Sequence, residues 1–160
     1  IALRLKPDMC TLVPEKREEL TTEGGLDVGR HFDQVRRAVK ALQEGAIKVS
    51  LFIDTDAGQI QAAKDAGAEV VELHTGTYSD ARTDHARALE LKAIVESAAF
   101  AAQRGLRVHA GHGLDYHNIQ ALTALKDIEE FSIGHSIMAR AVLVGIGQAV
   151  REMIDLIRQP

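Results

Sequence analysis

The sequence is poor in cysteine, in aromatic side chains and in long apolar runs. It has one cysteine, Cys10, no tryptophan, and 4% aromatic residues. A single cysteine cannot form an internal disulfide, which favours a reducing, cytoplasmic setting, and its apolar surroundings favour a packing thiol over a nucleophile. No apolar run approaches the roughly 20 residues of a membrane span, and the first residues lack the layout of a signal peptide. We therefore expect a soluble protein with no membrane partner.

A surplus of positive charge is also missing. Lys and Arg number 19 against 23 Asp and Glu, so the formal net charge is −4. The two signs are interspersed along the chain, which argues against a nucleic-acid partner. An anionic ligand must then be held by local groups. With 160 residues, 46% of them hydrophobic, the chain is long enough to bury one core.

Strand and helix patterns alternate along the chain. Strands are predicted over residues 9–13, 47–54, 68–74, 106–110 and 130–133, and helices over 28–44, 56–66, 83–104, 116–125 and 136–157. Residues 76–82 are expected to form a loop. Short links between alternating elements imply parallel strands with right-handed crossovers, and hence an α/β protein.

The polarity of the two strand faces favours a barrel over an open sheet. In the third predicted strand, Val71 and Leu73 share one face while Glu72 and His74 share the other. An open doubly wound sheet would be apolar on both faces, whereas a barrel tolerates crowded polar groups inside. A TIM (β/α)8 barrel has eight units and about 250 residues. We therefore expect residues 1–160 to form one incomplete domain supplying about the last five βα units, four to eight.

Two glycine-rich strand ends carry candidate chemistry. Residues 108–118 read Val-His-Ala-Gly-His-Gly-Leu-Asp-Tyr-His-Asn, and His112, between two glycines, is a candidate proton donor. A similar turn contains Gly134 and His135. The amides of these two residues and of Gly113, near a helix N-terminus, can hold a phosphate. The alternative is that the glycines merely turn the chain.

Glu72 is the most informative carboxylate, because an inward strand position desolvates it. Desolvation would either raise the pKa of the Glu72 carboxyl or require a cation paired with it, and both states suit acid/base or electrostatic roles in catalysis. The alternative is that Glu72 forms a purely structural salt bridge. His74, His109 and His112 are eligible metal ligands beside it, but the spacing of the last two disfavours one shared ion, so no metal is predicted. No lysine stands at a strand end, which argues against a lysine imine mechanism.

A long polar segment, residues 15–28, follows the first strand. Loops of this length are often functional. It is either a solvated surface loop or a lid in which Gly24 and Gly25 form a hinge and Thr21 or Thr22 contacts a ligand.

Several of these stretches occur together, in the same order, in one known family. They are Leu-Val-Pro-Glu-Lys-Arg from residue 12, Thr-Thr-Glu-Gly-Gly-Leu-Asp from 21, Val-Ser-Leu-Phe-Ile-Asp from 49, Glu-Leu-His-Thr-Gly from 72, Ala-Gly-His-Gly-Leu from 110, Tyr-His-Asn from 116 and Ile-Gly-His from 133. The chain closely resembles the pyridoxine 5′-phosphate synthase family over essentially its whole length. The resemblance implies a (β/α)8 barrel that condenses 3-amino-2-oxopropyl phosphate with 1-deoxy-D-xylulose 5-phosphate. The products are pyridoxine 5′-phosphate, phosphate and water.

The resemblance also assigns roles to individual residues. His112 matches the family's proton donor and Glu72 its transition-state stabiliser. Positions matching substrate or phosphate contacts are Thr21, Gly113, Gly134 and His135. The resemblance implies no cofactor, and it implies that the protein forms homo-oligomers. The family's first three barrel units have no counterpart here, so these 160 residues alone are expected to be inactive; the alternative is a non-catalytic fragment that binds phosphate or serves assembly.

Overall fold

The computed structural model of the chain describes residues 1–14 and 24–158. Its strands are β1 (Met9–Leu12), β2 (Lys48–Ile53), β3 (Val70–His74), β4 (Arg107–Gly111) and β5 (Ile128–Ser132). Its helices are α1 (Ala2–Leu5), α2 (Phe32–Glu44), α3 (Ala57–Asp65), α4 (Gly76–Asp80), α5 (Asp84–Gln103), α6 (Gln120–Thr123), α7 (His135–Val144) and α8 (Ile146–Arg158). The proposed lid, including Thr21 and Thr22, lies mostly outside the described residues.

The strands form one five-stranded sheet in the order β1-β2-β3-β4-β5, and every neighbouring pair is parallel. This confirms the predicted α/β class and the predicted parallel sheet. The register places Glu72 of β3 between Phe52 of β2 and His109 of β4. Three side chains of the same face therefore lie side by side across the middle of the sheet.

The hydrophobic core lies between the helices and one face of the sheet. Val49, Leu51 and Ile53 of β2 are completely buried there, together with Val39 of α2 and Ile60 of α3. Helix α2 is amphipathic, because it buries Val39 while its polar residues stay exposed. Because strand side chains alternate, the opposite face carries the polar and aromatic groups.

Several helix predictions were wrong. Helix α1 was not predicted, and the helix predicted over residues 116–125 is only the four-residue α6. Residues 76–80, predicted as loop, form the short helix α4. The helix predicted over residues 136–157 is two helices, α7 and α8, divided at Gly145 with φ 82° and ψ 151°. That backbone conformation is accessible essentially to glycine alone, so the apolar periodicity on either side does not imply a continuous helix.

The carboxyl ends of the strands meet along one edge of the sheet, because all five are parallel. Asp54, Thr75 and His112 follow β2, β3 and β4 directly, and Gly134 lies two residues after β5. Ligands of parallel α/β proteins bind at this edge. Among the helices of the described ranges, none combines the length and apolar character needed to cross a membrane.

Candidate active site

A cleft of about 810 Å³ opens at the carboxyl edge of the sheet. Its walls include five of the six site residues predicted from the sequence: Glu72, His112, Gly113, Gly134 and His135. The sixth, Thr21, is outside the described part of the chain. Residues separated by more than 60 positions in sequence therefore face one space.

The backbone of His112 is held in a strained conformation. Its φ of 82° is rare for a residue with a side chain and costs on the order of 1–3 kcal/mol. The hydroxyl of the buried Thr75 lies 2.6 Å from the carbonyl oxygen of His112 and 2.8 Å from that of Gly111, so its one hydrogen is shared between them. The Thr75 amide donates to the same Gly111 oxygen at 2.9 Å. The end of β4 is thus tied to the end of β3.

Thr75 was not singled out by the sequence. Its position directly after a predicted strand and before Gly76 was visible, but its partners lie 36 and 37 residues away. A threonine after a strand usually satisfies local backbone groups. Nothing in the sequence pattern distinguishes that case from the long-range one.

Gly113 also has a positive φ, 74°, and is packed against α4. A Cβ at this position would lie 2.6 Å from the Cβ of Ser79, closer than packed atoms approach. The Asn118 side-chain amide donates to the Gly113 carbonyl oxygen at 3.0 Å. The loop that follows His112 is therefore fixed on both sides, as a preorganised binding loop requires.

Glu72 lies half-buried on the polar face of the sheet. A Cβ at Gly111 would come within 2.5 Å of its Oε1, so the glycine makes room for the carboxylate. Burial raises the pKa of Glu72, and a hydrogen bond with the Ser132 side chain partly offsets this. Among the described residues no cation forms a salt bridge with Glu72, so the raised pKa, rather than ion pairing, describes its state.

His74 and Asp54 form a second polar pair next to His112. The Nδ1 atom of the buried His74 lies 3.0 Å from Oδ1 of Asp54. The ring centroid of His74 is 5.0 Å from that of His112 and 5.2 Å from that of Phe52. Burial lowers the pKa of His74 more than Asp54 raises it, so the ring is neutral near pH 7. The sequence predicted both residues at strand ends without a role for either.

His109 is a buried histidine. Its side chain is 2% exposed, and its Nδ1 lies 4.0 Å from Oε2 of Glu130. It is adjacent to Glu72 across the β3–β4 pairing, but it does not line the cleft. Within the described ranges no group of three or more His, Cys, Asp or Glu side chains is arranged to hold a metal ion.

Gly134 and His135 form the start of α7 at the rim of the cleft. His135 is the first helical residue and Gly134 precedes it, and both are exposed. The first amides of a helix lack intrahelical partners and attract anions. No acidic side chain occupies this first turn, and a Cβ at Gly134 would meet nothing within 4 Å. The approach to these amides is therefore open.

Comparison with known proteins gives one consistent family. The family model described as "Pyridoxal phosphate biosynthesis protein PdxJ" matches residues 1–159. The pyridoxine 5′-phosphate synthase of Geotalea daltonii is 56% identical over 158 residues, which is 99% of this chain and 66% of that protein. The enzyme of the same name from Trichlorobacter lovleyi is 56% identical over 100% of this chain and 67% of that protein. The one from Desulfatibacillum aliphaticivorans is 57% identical over 99% of this chain and 66% of that protein.

The chain thus spans about two thirds of the length of the curated relatives it matches. A solved chain titled "Crystal structure of Amycolatopsis orientalis BexX/CysO complex" gives a TM-score of 0.48 at 14% identity, covering 80% of this chain and 52% of that one. This likeness is too low to support an argument about fold or function.

Proposed function

Because the chain belongs to the pyridoxal phosphate biosynthesis protein PdxJ family, we propose that the protein is a pyridoxine 5′-phosphate synthase. Its reaction condenses 3-amino-2-oxopropyl phosphate with 1-deoxy-D-xylulose 5-phosphate and releases pyridoxine 5′-phosphate, phosphate and water. The observation that carries the proposal is that Glu72, His112 and the two glycine turns line the same cleft. Family membership alone would not require these groups to meet.

The chemistry of the reaction needs groups that move protons in both directions. The amino substrate supplies the nitrogen of the imine, so no catalytic lysine is needed. Loss of water and of phosphate requires proton donation to leaving oxygens, a role we assign to His112. Glu72 faces the same cleft with a raised pKa, which suits a carboxyl group that stabilises charge developing in the transition state.

Substrate phosphate is proposed to lie against the two glycine turns. The amides of Gly113, Gly134 and His135 border the cleft, and α7 directs the positive end of its dipole toward the rim. This arrangement lets a protein of net charge −4 hold phosphate without a basic patch. Thr21 remains a predicted contact.

We further propose that the sheet is the last five units, four to eight, of a TIM (β/α)8 barrel, with residues 1–160 as one incomplete domain. The polar inner face, with Ser50, Glu72 and His109 opposite the helix-covered core, supports this closure. The protein is proposed to be cytoplasmic, consistent with the lone thiol of Cys10, and to form homo-oligomers as the family resemblance implies.

The test is phosphate release from the two substrates by the intact protein, with the pyridoxine 5′-phosphate product identified by mass. His112→Ala should lower kcat by at least about 100-fold, as expected for loss of a general acid. Glu72→Gln should also lower kcat. His85→Ala, at an exposed site on α5, is the matched control and should keep wild-type kcat.

Phosphate binding without product would favour the alternative of a non-catalytic binding protein. Full kcat in His112→Ala would remove the role assigned to that histidine.

A further inference from the structure

Asp54 and His74 lie beside His112, yet neither has a role in the reaction proposed above. Oδ1 of Asp54 accepts hydrogen bonds from two donors, the amide of Gly25 at 2.8 Å and Nδ1 of His74 at 3.0 Å. The Asp54 side chain is 56% exposed, whereas that of His74 is 5% exposed. An exposed carboxylate normally moves among rotamers, and these two donors hold this one in a single orientation.

The contact with Asp54 selects one tautomer of His74. An ionised carboxylate only accepts hydrogen bonds, so the ring hydrogen of neutral His74 resides on Nδ1 and its Nε2 is left with a lone pair. Nε2 is buried and has no hydrogen-bond partner among residues 1–14 and 24–158. Buried polar atoms without partners are uncommon in folded proteins and often mark functional sites.

Gly76 brings the buried ring edge of His74 next to His112. A Cβ on Gly76 would lie 2.5 Å from Nε2 of His74 and 3.1 Å from Cδ2 of His112. The two rings therefore converge on one glycine, with their planes inclined by 56°. Any other residue at position 76 would push at least one ring away. Phe52 packs against both rings, with centroids 5.2 Å and 6.4 Å away, and limits movement toward the sheet.

We propose that Asp54 and His74 are positioning residues for His112. Asp54 fixes the orientation and tautomer of His74, and the ring of His74 fixes the imidazole of His112 at the cleft. In such an arrangement a buried neighbour orients the catalytic histidine, and a carboxylate in turn orients that neighbour. The inference rests on the proposed function, in which His112 is the proton donor.

Kinetics of matched variants in the intact protein give the first test. Asp54→Asn keeps the size of the side chain but removes its charge, so it should lower kcat by about 10- to 100-fold, the effect of a misplaced catalytic group, and change KM by less than about twofold. Asp27→Asn is the control, because Asp27 also accepts hydrogen bonds in the loop before α2 but contacts Gln59 and Arg30. It should leave kcat unchanged.

A second variant separates positioning from folding. His74→Asn leaves a side-chain amide that can still donate to Asp54, but it removes the ring edge that faces His112. It should lower kcat as Asp54→Asn does while its urea midpoint stays near that of the wild type. Wild-type kcat in folded His74→Asn would overturn the proposal.

An NMR measurement does not depend on turnover. With 15N-labelled histidine, His74 should show the Nδ1-protonated tautomer in the wild type and a mixture in Asp54→Asn, and the ring resonances of His112 should shift in that variant but not in Asp27→Asn. Unchanged His112 resonances in Asp54→Asn would overturn the proposal. A wild-type protein that lacks synthase turnover would instead overturn the proposed function, and the NMR result would still decide whether these residues fix His112.

Discussion

The positive φ of His112 is held by one buried hydroxyl group, that of Thr75. Thr75→Val preserves the shape of the side chain but removes a donor shared by the buried Gly111 carbonyl oxygen and the partly buried His112 carbonyl oxygen. We therefore expect the free energy of unfolding to fall by about 1–3 kcal/mol. Because the hydrogen bonds of Thr75 also restrain the backbone that positions His112, kcat should fall as well. Urea unfolding and steady-state kinetics on the same preparation measure both effects.

Thr77→Val is the matched control for that substitution. Thr77 lies two residues further on, is exposed, and donates to Oε2 of Glu90 at 2.8 Å on the surface. Its replacement should change the free energy of unfolding by no more than about 0.5 kcal/mol and leave kcat alone. Equal losses in the two variants would contradict the view that Thr75 restrains the strained turn.

The candidate site residues differ in how far the sequence could predict them. His112 and Glu72 were predicted as candidates because each carries chemistry at or near a strand end, and the alternation within the third strand also gave the face of Glu72. The pairing of His74 with Asp54 could not be predicted, because it depends on the relative rotation of two side chains 20 residues apart. The raised pKa of Glu72 was one of two states left open, and only its neighbours decide between them.

A single glycine, Gly145, separates helices α7 and α8. At Gly145 the backbone has φ 82° and ψ 151°, a region that residues with a Cβ almost never adopt. Gly145→Ala should therefore lower the free energy of unfolding by about 1–3 kcal/mol. Chemical denaturation of the variant beside the wild type measures the difference.

Gly147→Ala provides a control of opposite sign two residues later. Gly147 lies inside α8, and a Cβ there would meet Arg151 Nη1 at an ordinary 3.5 Å. Alanine should stabilise the helix by up to about 1 kcal/mol. If both substitutions stabilised the protein, the break between α7 and α8 would not depend on the glycine conformation.

A bidentate ion pair also connects α7 with α8. Arg140 of α7 donates from Nε and Nη2 to the two carboxylate oxygens of Glu152 of α8, at 2.8 and 3.1 Å. The hydrogen bonds from Arg140, and then that from Gln148, lower the pKa of Glu152 to about 2 from an ordinary 4.5. The stabilisation is therefore present above pH 4.5 and is lost as the pH falls toward 2.

Glu152→Gln should remove that pH dependence. The difference in unfolding free energy between wild type and variant should shrink between pH 5 and pH 2, and it should be much smaller in an Arg140→Gln background, where the main partner is gone. Urea titrations at a series of pH values measure it. A difference that is constant with pH would show that the pair does not lower the pKa of Glu152.

At the scale of the whole molecule, the alternation of strand and helix was enough to predict the parallel sheet. Strands β2, β3 and β4 are short, apolar on one face and followed by a glycine or polar turn, so local patterns and topology agree. The closure of the sheet is different, because it depends on partners for β1 and β5. Within the described residues each of these two strands pairs on one side only.

Those two sheet edges lead to a prediction about a polypeptide made of these 160 residues alone. The edges of β1 and β5 would expose unpaired backbone groups. The resemblance also implies that the reaction needs the first three barrel units, which have no counterpart in these residues. We therefore expect no phosphate release from the two substrates by this polypeptide, and a lower urea midpoint than that of a polypeptide as long as the curated relatives. The longer polypeptide, assayed in parallel, is the control for substrate quality. Turnover by the 160-residue polypeptide at the rate of the longer one would show that β2 to β5 and their loops are a sufficient catalytic unit.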